Sequence, residues 1–124
     1  MTEKLGVMKK VRVYNFESRE MWIADGYDEL SELFMALNAD DSLYSEPMQS
    51  TGLFDKNGDD IFEGDVVEVF DSRYAVFYDN ENASFRLKPR DKRWNTDYMS
   101  NYAHEASFEV IGDIYQNKEL MEEK

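Results

Sequence analysis

Six side chains with oxygen ligands lie within eleven residues near the middle of the chain. They are Asp55, Asn57, Asp59, Asp60, Glu63 and Asp65. Carboxylate and amide oxygens are ligands that calcium and magnesium accept, so a divalent-cation site is one interpretation of this spacing. An EF-hand loop that started at Asp55 would need glycine at its sixth position and glutamate at its twelfth. Because Asp60 and Val66 stand there, the sequence lacks the residues that make such a loop specific.

The same stretch also fits the tip and exposed edge of a β-hairpin. Asn57-Gly58 is typical of a type I′ turn, in which both central residues have positive φ, and apolar pairs flank it on both sides. We therefore predict no resident metal and an acidic interaction surface, with a weak divalent-ion site at this edge as the alternative. The predicted surface consists of Asp55, Asp59, Asp60, Glu63 and Asp65.

A basic and aromatic strip follows later in the chain. It consists of Arg86, Lys88, Arg90, Lys92, Arg93 and Trp94. Bases interleaved with aromatic rings can bind single-stranded nucleic acid through charge and stacking. Three interpretations stay open: a solvated strand face, a contact in which the strip of one copy meets the acidic surface of another, and a site for nucleic acid or another anion. Trp94, Tyr98 and Tyr102 recur every four residues, which on a helix would make one aromatic stripe. Such a stripe packs in a core or interface, with a platform for stacked bases as the alternative.

The sequence offers little for catalysis. It has no cysteine, and its single histidine, His104, lies in a polar stretch without a nucleophile elbow. Its six glycines are scattered and form no phosphate-binding loop. We therefore predict that the protein is not an enzyme and that it needs no cofactor.

Composition limits the class of partner. The chain of 124 residues has a net charge of −13, and its acids are concentrated in the middle, which opposes binding of nucleic acid or anionic membranes by the whole surface. No apolar stretch is long enough to span a bilayer, and the N-terminal residues lack the apolar core of a signal peptide. We expect a cytoplasmic protein whose partners are other copies of itself and an unidentified protein.

The elements that position these residues follow from periodicity. Alternation over 9–16 predicts a strand, 21–25 a second strand, and the turn between them a hairpin. An apolar stripe of Leu30, Leu33, Phe34 and Leu37 predicts a helix over 26–38 that Asp25 caps and a left-handed Asn38 ends.

From Met48 the pattern is β. We predict strands at 64–70, 73–79, 83–89 and 106–115, a bulge or bend at Gly112, a loop over 90–105 and a closing short helix that docks through Leu120 and Met121. The expected fold is mainly β (α+β), a bent antiparallel sheet that forms a small barrel-like domain. Residues 1–47 hold the N-terminal strands and helix, and 48–124 hold the core, and we expect the two parts to form one compact unit.

Two segments resemble the YopX family of phage and prophage proteins. The first, MQSTGLFDKNGDDIFEGDVVEV, is similar to the family pattern T-G-L-x-D-x-N-G-x-x-I-[YF]-E-G-D-[IV]-[IV], and the second, FEVIGDIYQNKEL, to E-V-I-G-N-I-Y-x-N-P-E-L. Asp113 replaces the usual asparagine, and Lys118 replaces the usual proline. The resemblance implies a small, mainly β protein of phage or prophage origin that forms a homo-oligomer. It implies no catalytic residue, because the matching residues form turns and core.

Overall fold

The computed structural model describes residues 10–99 and 107–122. The chain divides into two compact units, residues 1–52 and 53–124. The boundary lies inside a strand rather than in the loop before Met48, where sequence patterning placed the end of the N-terminal part. Tyr102 and His104 lie outside the described residues, and the strand predicted from residue 106 is described from 107 onward.

The first unit contains a β-hairpin, a helix and most of a third strand. Strands β1 (Lys10–Asn15) and β2 (Glu20–Asp25) pair antiparallel, and β3 (Met48–Phe54) pairs with β1 on its other side. The side chain of Asn15 accepts hydrogen bonds from the amides of Glu17 and Ser18, which closes the turn between β1 and β2. The predicted hairpin and its turn are confirmed.

The helix α1 (Tyr27–Ala39) is confirmed, but both predicted ends are wrong. Gly26 occupies the N-cap position with a φ of 95°, a conformation that glycine adopts readily and aspartate does not. Asp25 instead donates its backbone amide to Oε1 of Glu29. At the other end Asp40, in an extended conformation, is the C-cap, and Asn38 remains helical.

The core of this unit lies between the hairpin and the helix. Leu30 and Leu33 from α1 pack with Val13 and Ala24 from the two strands. Leu37 is partly buried against them, whereas Phe34 is 45% exposed, so the predicted stripe is buried over three of its four positions.

The second unit is a curled antiparallel sheet. Its five paired strands have the order β8-β7-β6-β5-β9. Their bounds are β5 (Asp65–Val69), β6 (Ser72–Asp79), β7 (Ser84–Pro89), β8 (Asp97–Tyr98) and β9 (Glu109–Asp113). A short β4 (Asp60–Phe62) forms a hairpin with the end of β3, and a 3-10 helix (Lys118–Met121) closes the described chain.

The predicted fold class is confirmed: the protein is mainly β, and the part of the chain that the structure describes holds a half-barrel antiparallel sheet, one α-helix and a short 3-10 turn. Opposite β9, the register shifts between Val66 and Val67, so the predicted irregularity near Gly112 is present. Within residues 10–99 and 107–122, no helix is both long and apolar enough to cross a membrane.

The two faces of the sheet differ in burial. Tyr74, Val76 and Leu87 are buried in the core of the unit, together with Ile61 and Val67. Because side chains alternate along a strand, Ala75, Phe77 and Lys88 lie on the opposite, outer face.

The type I′ turn lies elsewhere than predicted. At the tip of the β3–β4 hairpin, only Gly58 has positive φ, at 85°. The amide of Gly58 donates to the carbonyl of Asp55, and the amide of Asp55 donates to the carbonyl of Asp59. This is a three-residue loop, in which a type I turn precedes a left-handed glycine. The prediction of positive φ at Asn57 is therefore wrong.

The two-residue turn between β5 and β6 has the positive φ values that a type I′ turn requires. Phe70 has a φ of 50° and Asp71 a φ of 61°, and Val69 pairs with Ser72 across the turn. Neither residue is glycine or asparagine, the types that tolerate this conformation best.

We expect the double change Phe70→Asn and Asp71→Gly to raise the free energy of unfolding by about 1–2 kcal/mol, because it removes steric strain at two left-handed residues. Urea denaturation measures the change. The same pair introduced at exposed Lys92 and Arg93, which do not have positive φ, is the control and should not stabilise the protein. An unchanged or lower unfolding midpoint for the turn variant would contradict the assignment of strain.

Candidate functional site

The carboxylate of Asp55 joins the hairpin tip to a distant strand. Its Oδ1 accepts hydrogen bonds from the amides of Asn57 and Asp59, both at 2.9 Å. Its Oδ2 accepts a hydrogen bond from the amide of Val110 in β9, at 3.0 Å. Asp55 is only 6% exposed. The hairpin tip is therefore held against β9 by a buried side chain.

Two opposing effects act on the pKa of Asp55. Burial raises it, since a low-dielectric surrounding disfavours the charged form. The amides of Val110, Asp59 and Asn57, which donate hydrogen bonds to the carboxylate, lower it, and together they outweigh burial. The pKa of Asp55 thus lies below its ordinary value, and the residue is ionised at neutral pH.

Asp65 is also internal. It is 3% exposed, and its Oδ2 accepts a hydrogen bond from the amide of Phe62 at 2.8 Å. This corrects the sequence interpretation for Asp55 and Asp65: both acids order turns and neither presents its charge to a partner. The predicted acidic surface therefore narrows to Asp59, Asp60 and Glu63.

The hairpin tip exposes an aromatic ring beside these acids. Phe54 is 63% exposed, although the neighbouring Leu53 packs against the core. Because Asp55 faces Asp59 at the tip, antiparallel pairing places Phe54 beside Asp60 on the outer side. Glu63 follows β4, at the end of that strand away from the tip. We call Phe54, Asp59 and Asp60 the acidic tip.

A second pair of contacts fixes the loop of the acidic tip. The backbone amide of Lys56 donates a hydrogen bond to the carbonyl of Phe108 at 2.8 Å. The Nζ of Lys56 lies 3.4 Å from Oε1 of Glu109. Together with the Asp55 carboxylate, these contacts hold the loop on β9. The backbone that carries Phe54 is therefore ordered before any partner arrives.

The geometry of the acids does not form a metal centre in the described part of the chain. No group of three or more histidine, cysteine, aspartate or glutamate residues there is placed to hold an ion. The oxygens of Asp55 that sequence spacing offered as ligands accept backbone hydrogen bonds instead.

The basic strip does not form one continuous surface. Nη1 of Arg86 lies 3.0 Å from Oδ2 of Asp79, and its Nη2 donates to the carbonyl of Thr96. Its guanidinium stacks on Tyr98, with Cζ 4.5 Å from the ring centroid. Hydrogen bonds from the side chains of Asn82 and Arg86 lower the pKa of Asp79 to about 2. Arg86 thus holds β8 and the turn after β6 in place.

At the other end of the strip, Arg93 pairs with its neighbour. Nη2 of Arg93 lies 2.6 Å from Oδ2 of Asp91, and this side-chain contact is the main reason that the pKa of Asp91 is lowered to about 2. Trp94 is 60% exposed, in a turn in which its amide donates to the carbonyl of Asp91. Tyr98 lies in β8, so Trp94 and Tyr98 do not share the face of one helix.

The remaining bases of the strip border a groove of about 850 Å³. The groove lies on the outer face of β6 and β7 and is bounded by the segment after β9. Its lining residues include apolar Ala75, Phe77, Pro89, Ile114 and Met121. Lys88, Arg90 and Lys92 contribute the cations, and Glu122 contributes one carboxylate.

Sequence reasoning missed the groove and the exposure of Phe54. The groove is formed by residues near 75, 88 and 114, and no local sequence pattern indicates that these segments lie together. A signal for Phe54 exists in retrospect, because strand alternation that places Leu53 in the core places Phe54 outside it.

Comparisons with known proteins extend over nearly the whole chain. A family model described as YopX protein matches residues 8–122. The crystal structure of protein EF1440 from Enterococcus faecalis is similar, with 27% sequence identity and a TM-score of 0.59. That similarity covers 91% of this chain and 97% of the other. Among curated proteins, none matches the sequence.

Proposed function

The chain belongs to the YopX family, and from that premise we propose that it is a phage or prophage accessory protein, non-enzymatic and oligomeric, that acts by binding protein. The observation that carries the proposal is the acidic tip, a fixed hairpin that exposes Phe54 beside carboxylates. Exposed aromatic residues on ordered backbone are typical of binding hot spots.

Order in the tip favours binding because association costs less when a contact segment does not have to be fixed on encounter. The buried carboxylate of Asp55 and the contacts of Lys56 fix the loop through backbone hydrogen bonds. Phe54 can then bury its ring against a partner, and the hairpin does not first have to become ordered.

The charge of the acidic tip selects the partner. Asp59 and Asp60 favour a surface with basic side chains around an apolar patch, and they disfavour other acidic surfaces. Another copy of this chain carries bases at Lys88 and Arg90, so self-association is one expected outcome, and a second, basic protein is the other. Nucleic acid is a poor fit to the tip, because phosphates would face carboxylates.

The test compares Phe54→Ser with wild type by light scattering over a range of concentrations. We expect wild type to form an oligomer and Phe54→Ser to weaken its association about tenfold or more, as loss of a hot-spot aromatic does. In a parallel arm, each immobilised protein is exposed to a bacterial extract, and we expect a protein retained by wild type to be lost with Phe54→Ser.

The matched control is Phe70→Asn, which removes another exposed phenylalanine from a hairpin of the same unit. This variant should associate and bind as wild type does. Two results would overturn the proposal: a wild type that is monomeric at every concentration and retains no protein, or equal losses for the Phe54 and Phe70 variants.

A further inference from the structure

The groove on the outer face of β6 and β7 has the size and composition of a ligand site. Pockets for small molecules usually enclose roughly 300–1,000 Å³ and are mostly apolar with a few polar groups. The groove, at about 850 Å³, has an apolar floor that includes Ala75, Phe77 and Pro89. Ile114 and Met121, from the segment after β9, also line the groove, and we call them its wall.

The floor offers few backbone hydrogen-bonding groups to a ligand. β6 pairs with β5 on one side and β7 on the other, and β7 also pairs with β8 over Arg86 and Leu87. Beyond the end of β7, the amide of Arg90 donates to the carbonyl of Arg73. A peptide laid on this floor would leave its own amides and carbonyls without partners, which is costly. The floor therefore favours a ligand whose body is hydrocarbon.

Charge is confined to the ends of a few side chains around the floor. Lys88 lies opposite Ala75 across the β6–β7 pair, and Arg90 and Lys92 follow it along the chain. Among the lining residues within 10–99 and 107–122, Glu122 is the single acid. In a protein with a net charge of −13, this is a local excess of cations beside an apolar surface. Such a surface attracts an anionic head group and excludes cationic ones.

We propose that this groove binds an anionic amphiphile, a molecule with one carboxylate head and an unbranched hydrocarbon body. The head lies against Lys88 and Arg90, where it gains charge-assisted hydrogen bonds. The body covers Ala75, Phe77, Ile114 and Met121, which removes apolar surface from water. The site is distinct from the acidic tip, but Lys88 and Arg90 are also the bases that the tip of another copy would meet, so decanoate and self-association should compete for them.

The experiment titrates the full chain with decanoate by calorimetry, below the concentration at which decanoate forms micelles. We expect saturable binding of one decanoate per chain. Decanol, which has the same body without the charge, should bind at least about tenfold more weakly, because the charged contacts are lost. Arg90→Glu should weaken decanoate binding about tenfold or more, because it reverses one of the cations at the head group.

Two further variants separate the roles of charge and space. Ala75→Trp keeps every charge but fills the floor, and it should abolish decanoate binding while circular dichroism reports an unchanged fold. Arg19→Glu makes the same charge change as Arg90→Glu at an exposed turn of the first unit, and it should bind as wild type does.

Several results would overturn the proposal. They are an absence of decanoate binding by wild type, equal affinity for decanol, and Ala75→Trp binding as tightly as wild type. Displacement of decanoate by a lower concentration of either a single-stranded oligonucleotide or an acidic peptide with a central phenylalanine would assign the groove to that class instead. Phe54→Ser should retain decanoate binding, which distinguishes failure at the acidic tip from failure in the groove.

Discussion

Replacing Asp55 with alanine is expected to lower the free energy of unfolding by about 3 kcal/mol, because three backbone amides lose a charged acceptor. The amides of Asn57, Asp59 and Val110 would each need a new partner, and Val110 lies 55 residues away in sequence. Loss of that contact also releases the hairpin tip from β9. Urea or thermal denaturation followed by circular dichroism measures the change.

The neighbouring acid Asp59 supplies the control. Its side chain is exposed, so Asp59→Ala should change the free energy of unfolding by no more than about 0.5 kcal/mol. Similar losses for the two variants would contradict the structural role of Asp55. Asp55→Asn should fall between them, because an amide retains one oxygen acceptor but places an N–H group against a backbone donor.

The lowered pKa of Asp55 makes its contribution depend on pH. Because the pKa is lower in the folded than in the unfolded protein, the stabilisation is complete above the unfolded value, about 3.9. It is lost as pH falls from there through the folded pKa, since the unfolded state then binds more protons. The difference in stability between wild type and Asp55→Asn should therefore shrink in this acid range. It should stay constant between about pH 6 and 8, because the folded and unfolded pKa values of Asp55 both lie below that range.

Gly112→Ala is expected to cost about 2 kcal/mol, for a steric reason. A Cβ at this position would lie 2.6 Å from Oδ1 of Asn117 and 2.7 Å from Cδ1 of Leu120. Oδ1 of Asn117 accepts a hydrogen bond from the amide of Asp113, and Leu120 belongs to the 3-10 helix that packs against β6. The added methyl group therefore displaces two side chains of the segment that bounds the groove, so decanoate binding should weaken as well.

A double-mutant cycle tests that cause. In a Leu120→Ala background, one of the two obstructing side chains is shortened, and Gly112→Ala should cost less than it does in wild type. Equal costs in the two backgrounds would show that Leu120 does not limit the space at Gly112. Gly58→Ala is a comparison in which no clash is expected, because open space surrounds Gly58. The loss of stability there should come from the backbone φ of 85° alone.

Segments with a strong local pattern were predictable. The alternation of Val11 and Val13 specifies a strand, and the spacing of Leu30 and Leu33 specifies a helix face, because each pattern reflects geometry within a few neighbouring residues. The family resemblance rests on the turns and core of the second unit, and the family model extends the match to residues 8–122.

Turn type was less predictable than turn position. Asn57-Gly58 has the preferred residues for a type I′ turn, yet the Asp55 carboxylate and the contact of Lys56 with Phe108 stabilise a longer loop. Phe70-Asp71 lacks those residues, yet the pairing of β5 with β6 imposes positive φ on both. In each case contacts with other strands outweigh local preference.

The sequence by itself determined the mainly β class, the family, and the order of the helix and the longer strands. It did not predict β8, which lies in the stretch 90–105 that was expected to be a loop. Only the tertiary structure decided which charges face water. From the sequence, Asp55 and Asp65 look like members of one acidic edge and Arg86 like a member of one basic strip. In the folded chain the two acids are buried, Asp55 bonds to Val110 of a distant strand, and Arg86 pairs with Asp79. The physical reason is that the environment of a charge depends on all the chain that folds around it, whereas strand and helix periodicity depends on near neighbours. The groove follows the same rule, since its floor and its wall meet only when the segment after β9 packs on the sheet.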